Sequence, residues 1–179
     1  MRVFIVIVAI LFSAVPVKAQ SYVELQNLLT SSGYVPQIDG YVSVPGKGVN
    51  TDVWFLATKN WGEVVIGPSK SFNSGFGASF LVGVESSDRG YWRINPNAWL
   101  YRGKLGTYHA FEWGASGFWY KSTATWTVNK HLAVGVHSQR FYGTGPLVSV
   151  PINNTYRVWA STVRSNGQNK AMIGLVRNF

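Results

Sequence analysis

The run GVHSQRF sets His137 beside Ser138, the residue types that act together as general base and nucleophile in acyl transfer. A base must lie within hydrogen-bond reach of its nucleophile. Neighbours in a strand point to opposite faces, so an extended run holds these two apart. His109 and His131 lack metal-ligand spacing or a clustered carboxylate, and the chain has no cysteine. No catalytic residue, metal site or cofactor is assigned, and the sequence has no phosphate loop or dinucleotide fingerprint. What remains is charge. Glu85, Arg93 and Glu112 alternate with bulky apolar neighbours, which predicts that they share the inward side of their segments. Charges sequestered there must pair, so these three form the expected interior ion network.

Residues 1–19, MRVFIVIVAILFSAVPVKA, read as a secretory signal peptide: Arg2, an apolar core from Val3 to Val15, then a small-residue cleavage site. The apolar run falls short of the roughly 20 residues that a spanning helix needs. The full chain carries 16 basic and 7 acidic residues, and removing Arg2 and Lys18 leaves 14 against 7. An exported chain with that balance is expected to meet anionic head groups, polysaccharide or small anions, or simply to carry a basic surface, and no nucleic-acid partner is expected. Without disulfides, stability must come from a core, a partner or a membrane.

Residues 21–31, SYVELQNLLTS, suggest a short helix, with Val23, Leu25, Leu28 and Leu29 near helical spacing and Gly33 after its end. Residues 33–50 mix Gly, Pro and Val and read as a connector with one short strand at Tyr41–Val44. From Thr51 the composition turns to aromatic, Val, Thr and Gly, with turn residues at short intervals. Nine strands are expected there: 51–60, 62–67, 75–85, 90–101, 105–114, 117–128, 131–141, 155–165 and 169–179. The segment 62–67 is the shortest and pairs outside the main sheet or merges with its neighbour. Asn166-Gly167 predicts a tight hairpin between the last two, because a type I′ turn needs positive φ at both central residues. Residues 141–155 read as a long surface loop.

Alternation decides which faces differ. Leu132, Val134 and Val136 oppose Ala133, Gly135 and His137; Phe80, Val82 and Val84 oppose Ser79, Leu81, Gly83 and Glu85. One face is bulky and apolar, the other mainly small or polar. A soluble sandwich or barrel would bury the bulky face. A membrane barrel would turn it to lipid and line its lumen with the other. Strands of 10–12 residues suit the second case, because a tilted strand needs about 9–11 to cross a bilayer. So do aromatics crowded toward strand ends. Trp92, Trp99, Trp113, Trp119, Tyr142 and Tyr156 are the expected girdle at the lipid–water interfaces.

The last strand alternates Ala171, Ile173 and Leu175 and closes on Phe179. It resembles the C-terminal strand of small bacterial outer-membrane β-barrel proteins, departing at Arg177, where that family commonly has an apolar residue. The resemblance covers about 51–179. It implies recognition of Ala171, Ile173, Leu175 and Phe179 by the barrel assembly machinery, an outer-membrane location, and lipid or lipopolysaccharide as neighbours. Sharing Thr51–Phe179 among eight strands gives about 16 residues per strand and connection. The expected fold is therefore all-β: an eight-stranded antiparallel up-and-down transmembrane barrel over 51–179, preceded by a short helix and connector over 20–50. The expected role is structural or surface-interacting, not enzymatic, with loops meeting an extracellular ligand, or a narrow porin-like route for small solutes or anions. Two alternatives stand beside it: a soluble secreted β-sandwich or barrel, periplasmic or extracellular, that binds carbohydrate through exposed aromatics, and an outer-membrane lipid-modifying enzyme. The enzyme would need a His, a hydroxyl and a carboxylate converging at one rim.

Overall fold

Two-residue alternation runs through nearly all of the described residues, and each stretch of it is a strand. The computed structural model describes residues 21–30, 33–165 and 167–179. Its strands are β1 (Tyr22–Thr30), β2 (Gly33–Val44), β3 (Asn50–Thr58), β4 (Gly62–Ser71), β5 (Phe76–Ser87) and β6 (Gly90–Arg102). The second half adds β7 (Leu105–Gly114), β8 (Gly117–Asn129), β9 (Leu132–Gln139), β10 (Gly143–Pro151), β11 (Tyr156–Ser165) and β12 (Gln168–Asn178). Each pairs antiparallel with its neighbours in sequence. β1 pairs with β12, from Tyr22 opposite Asn178 to Leu29 opposite Ala171, so the sheet closes into a barrel. Successive strands are at most five residues apart.

Twelve strands replace the expected eight, and strand replaces the expected helix. In β1, Glu24, Gln26 and Leu28 are buried on one face while Leu25 and Leu29 lie exposed on the other. Leu28 belongs to the face opposite Leu25 and Leu29, so the apparent helical spacing combined two faces of a strand. Residues 33–50, expected as a connector, supply β2, and the barrel wall therefore begins well before Thr51. The segment 62–67 lies within β4, a full wall strand paired to β3 and β5. Residues 141–155 are no long loop, because most of them form β10. Its Gly143, Gly145 and Pro146 look like turn punctuation, but Gly145 serves close packing: a Cβ there would lie 1.6 Å from the Thr162 carbonyl oxygen. The proposed signal peptide over 1–19 and Asn166 of the expected hairpin lie outside the described residues. Gly167 has a φ of 76°.

The bulky face is the outer one. Phe80, Val82 and Val84 are 52%, 47% and 50% exposed, whereas Ser79, Leu81 and Glu85, at alternate positions on the other face, are buried. The same sorting turns Val134, Val136, Trp126, Ile173 and Leu175 outward. A soluble sheet would bury these residues, and the soluble alternative fails on them. A continuous apolar exterior on a closed barrel is the lipid-facing arrangement.

The interior is packed as well as polar. Leu28, Leu147, Trp159, Val163, Met172 and Val176 cluster on one side. Trp54, Leu56, Val65 and Leu81 cluster on the other. Room for inward indoles comes from glycine: Trp159 covers Gly174, where a Cβ would lie 2.2 Å from the indole Nε1. We expect Val82→Arg, at mid-strand on the outer face, to cost about 2–4 kcal/mol, and Phe76→Arg, at a strand end, about 0–1 kcal/mol. Urea titration of the protein folded into lipid vesicles, read by unboiled gel mobility, measures the difference.

Candidate functional site

Of the seven acidic residues in the chain, six are buried: Glu24, Asp39, Asp52, Glu63, Glu85 and Glu112. The seventh, Asp88, stands in the β5–β6 turn. An acid on the outer face would meet hydrocarbon, so the lumen and the rims are its available places. Arg93 and Lys121 accompany the acids inside. The other described cations sit in connections or within three residues of a strand end. Five of the six buried acids also lie within three residues of a strand end, so burial is what divides the charges: apart from Arg93 no described cation is buried, and the positive excess of the described residues lies on the exposed parts of the rims. Inside, six carboxylates against two cations leave a formal excess of four negative charges.

The structure brings Glu85, Arg93 and Glu112 together and adds Glu63. Arg93 Nη1 lies 2.9 Å from Glu85 and Nη2 2.5 Å from Glu112. Its Nε lies 2.5 Å from Glu63 Oε2, yet neither oxygen of Glu63 has a hydrogen-bond partner. That approach is a contact of charges without aligned donor geometry. Ser116 donates to Glu85 through its backbone N–H at 2.7 Å and its hydroxyl at 2.6 Å, and Asn95 donates to Glu112. Trp61 lies under the guanidinium, with its ring centroid 5.3 Å away. Three carboxylates thus converge on one cation from β4, β5 and β7, with β6 supplying Arg93.

The second cluster spans the lumen. Lys121 on β8 reaches Asp39 on β2 at 3.3 Å and Glu24 on β1 at 3.5 Å. In a ring of twelve, β2 and β8 are six strands apart and stand opposite each other. Gln26 donates to Glu24 at 2.7 Å and to Asp39 at 3.0 Å, holding the two acids side by side. Trp159 donates to Glu24, and Gln37 donates to Gln26. Two further contacts cross the same space. The Trp54 and Trp119 rings lie 6.2 Å apart, and Tyr142 donates to Gln37 at 2.8 Å. This waist joins opposite walls and divides the interior.

Other named residues fall on both faces. Trp92 and Trp113 are exposed outward, and Tyr156 lies partly exposed at the start of β11. Trp119 is buried against Trp54, Trp99 lies over Gly77 on the inner face, and Tyr142 reaches into the waist. Ile173 and Leu175 point outward, and Arg177 lies over the exposed Phe179 ring at 4.8 Å. His137 is buried and stacks on Trp159, while Ser138 bonds Thr144 on the exposed side. A pair the sequence reading did not single out is His109 Nδ1 with Ser122 Oγ, at 2.7 Å between β7 and β8. Alternation with Ala110 and Glu112 places it on the outer face, opposite the six buried acids. Among the described residues, no group of three His, Cys, Asp or Glu can hold a metal.

The sequence matches no protein-family model and no curated protein. Solved structures are similar in fold. The KdgM porin, in a structure described as a complex with disordered oligogalacturonate, aligns with a TM-score of 0.62 at 13% identity, over 88% of this chain and 99% of that one. The chain has the fold of an outer-membrane β-barrel. Omp33, an outer-membrane protein of Acinetobacter baumannii, aligns with a TM-score of 0.58 at 11% identity, covering 89% of this chain and 98% of that one. Outer membrane phospholipase A from Escherichia coli aligns with a TM-score of 0.57 at 9% identity, covering 93% of each. This outer-membrane barrel thus shares its scaffold with porins and with a phospholipase, and its own interior must indicate its role.

Lys121 and its two acids escape the sequence reading because Glu24 and Asp39 lie in the segments expected as helix and connector. Lys121 itself alternates with Tyr120 and Ser122 and shares a face with Trp119 and Thr123, a pattern present in the sequence. We expect Arg93→Ala, which strands three buried carboxylates, to cost about 3–5 kcal/mol. Glu63→Gln removes an acid that has no hydrogen bond and is expected to be near neutral or stabilising. Urea midpoints of the refolded variants separate the two.

Proposed function

We propose that this barrel is a narrow solute pore of the outer membrane, with its selectivity inside the barrel and not in its surface loops. The observation that carries the reading is the polar bridge from Lys121 to Glu24 and Asp39, which joins opposite walls of the lumen. A barrel serving only as a surface platform has no need of such a waist, and connections of at most five residues give a surface partner little to hold. Similarity to porins supports the reading through the scaffold. Polar groups that line a constriction and exchange partners with a passing solute are the ordinary means of pore selectivity.

The role is non-catalytic in this proposal. The His109–Ser122 pair supplies a base and a hydroxyl on the outer face, but six of the seven acids are inside the barrel and Asp88 belongs to the β5–β6 turn. A histidine without a carboxylate to orient it is a weaker base toward its hydroxyl.

Proteoliposome swelling tests the pore. Vesicles with the folded protein are expected to admit a pentose faster than protein-free vesicles and to admit a trisaccharide far more slowly, because the waist narrows the path. Protein that shows the unboiled gel shift of a closed barrel but admits a pentose no faster than empty vesicles overturns the proposal.

A further inference from the structure

The waist holds an ammonium group, and that group is covalently tethered. Lys121 Nζ sits between Asp39 Oδ2 at 3.3 Å and Glu24 Oε2 at 3.5 Å. Charge-assisted N–H···O contacts settle near 2.7–2.9 Å when nothing restrains them. The lysine reaches its acids from the opposite wall and stops short of that distance. The acids are set independently of it: Gln26 bonds both, and Trp159 donates to Glu24. Acceptors are left over. Asp39 Oδ1 and Gln139 Oε1 have no hydrogen-bond partner although both residues are buried, and Gln139 stands opposite Lys121 on β9.

We infer that Glu24 and Asp39 form a seat for a primary ammonium group, occupied in this state by Lys121, and that the solutes this barrel takes are alkylammonium compounds such as diamines or amino sugars. A free ammonium brings three donors without the restraint of a side chain anchored across the lumen. It can approach both carboxylates closely and use the spare acceptor of Asp39. Seating it displaces Lys121 and breaks the ionic part of the bridge between the walls. The remaining interior acids favour the same class, because the formal excess inside is negative. The seat rests on the waist geometry alone, and its link to transport rests on the pore reading.

The probe is 1,4-diaminobutane, with both amines protonated at pH 7. Calorimetric titration into the detergent-folded full chain compares wild type, Lys121→Met and the triple variant that adds Glu24→Gln and Asp39→Asn. Each is first checked by unboiled gel mobility. Lys121→Met is expected to bind about tenfold tighter than wild type or better, since the competing ammonium is gone, and the triple variant to lose that gain. Equal affinity in wild type and Lys121→Met, or tight binding that survives in the triple variant, overturns the seat. A measurement on wild type needs no variant: saturating diamine is expected to shift the side-chain ammonium resonance of Lys121 in 15N-labelled protein, and an unchanged resonance overturns the displacement. Planar-bilayer currents separate this inference from the pore. Diamine binding without any current leaves the seat standing and removes the pore, whereas current without diamine binding does the reverse.

Discussion

Hydrocarbon offers a backbone amide no partner, so each N–H and C=O at membrane depth must bond within the wall. The pairing of β1 with β12 meets that demand by leaving the sheet no edge. Everything else follows from this closure. Strands must be long and connections must gather at the two ends. Each strand presents one face to lipid and one to the lumen, so the alternation of residues becomes a division between outside and inside.

That division concentrates charge. The outer wall accepts Val, Ile, Phe and Leu, the rims accept Lys and Arg, and the acids are left with the lumen. Buried ions remain only where partners surround them. One guanidinium therefore collects three carboxylates, and one ammonium reaches across the barrel to two. The same contacts that make an acid-rich interior tolerable also narrow it. In this barrel, stability and passage are governed by the same few side chains.

The sheet's faces are legible in the sequence because lipid enforces strict alternation: Leu132, Val134 and Val136 announce the outer surface of β9. The strand count is not. In β1 an inward Leu28 adjoins an outward Leu29, and their adjacency looks like a helical stripe. In β10, Gly and Pro occur within the strand for packing reasons, while elsewhere they mark turns. The Arg93 cluster is partly legible, since Glu85, Arg93 and Glu112 each oppose bulky neighbours. Its fourth member, Glu63, follows from pairing with Glu85 on the adjacent β5, in a segment expected to lie outside the main sheet or to merge with its neighbour; the Lys121 waist depends on which strands face each other across the lumen, a relation that no local pattern contains. The net charge of the chain is likewise blind to the separation between basic rims and an acidic interior.

The seam has a consequence for how the molecule comes into being. Tyr22 lies opposite Asn178, so the contact that completes the wall joins the two most distant parts of the described chain. Such a contact costs the most loop entropy and slows folding. Until it forms, β1 and β12 each present a row of unpaired amides. Glu24, on the seam strand itself, receives Trp159 from β11 and Lys121 from β8 only when the ring is shut. The lumenal network is thus a late product of assembly. A half-made barrel holds no waist and leaves Glu24 and Asp39 without Lys121, which favours all-or-none insertion over gradual zippering into the bilayer.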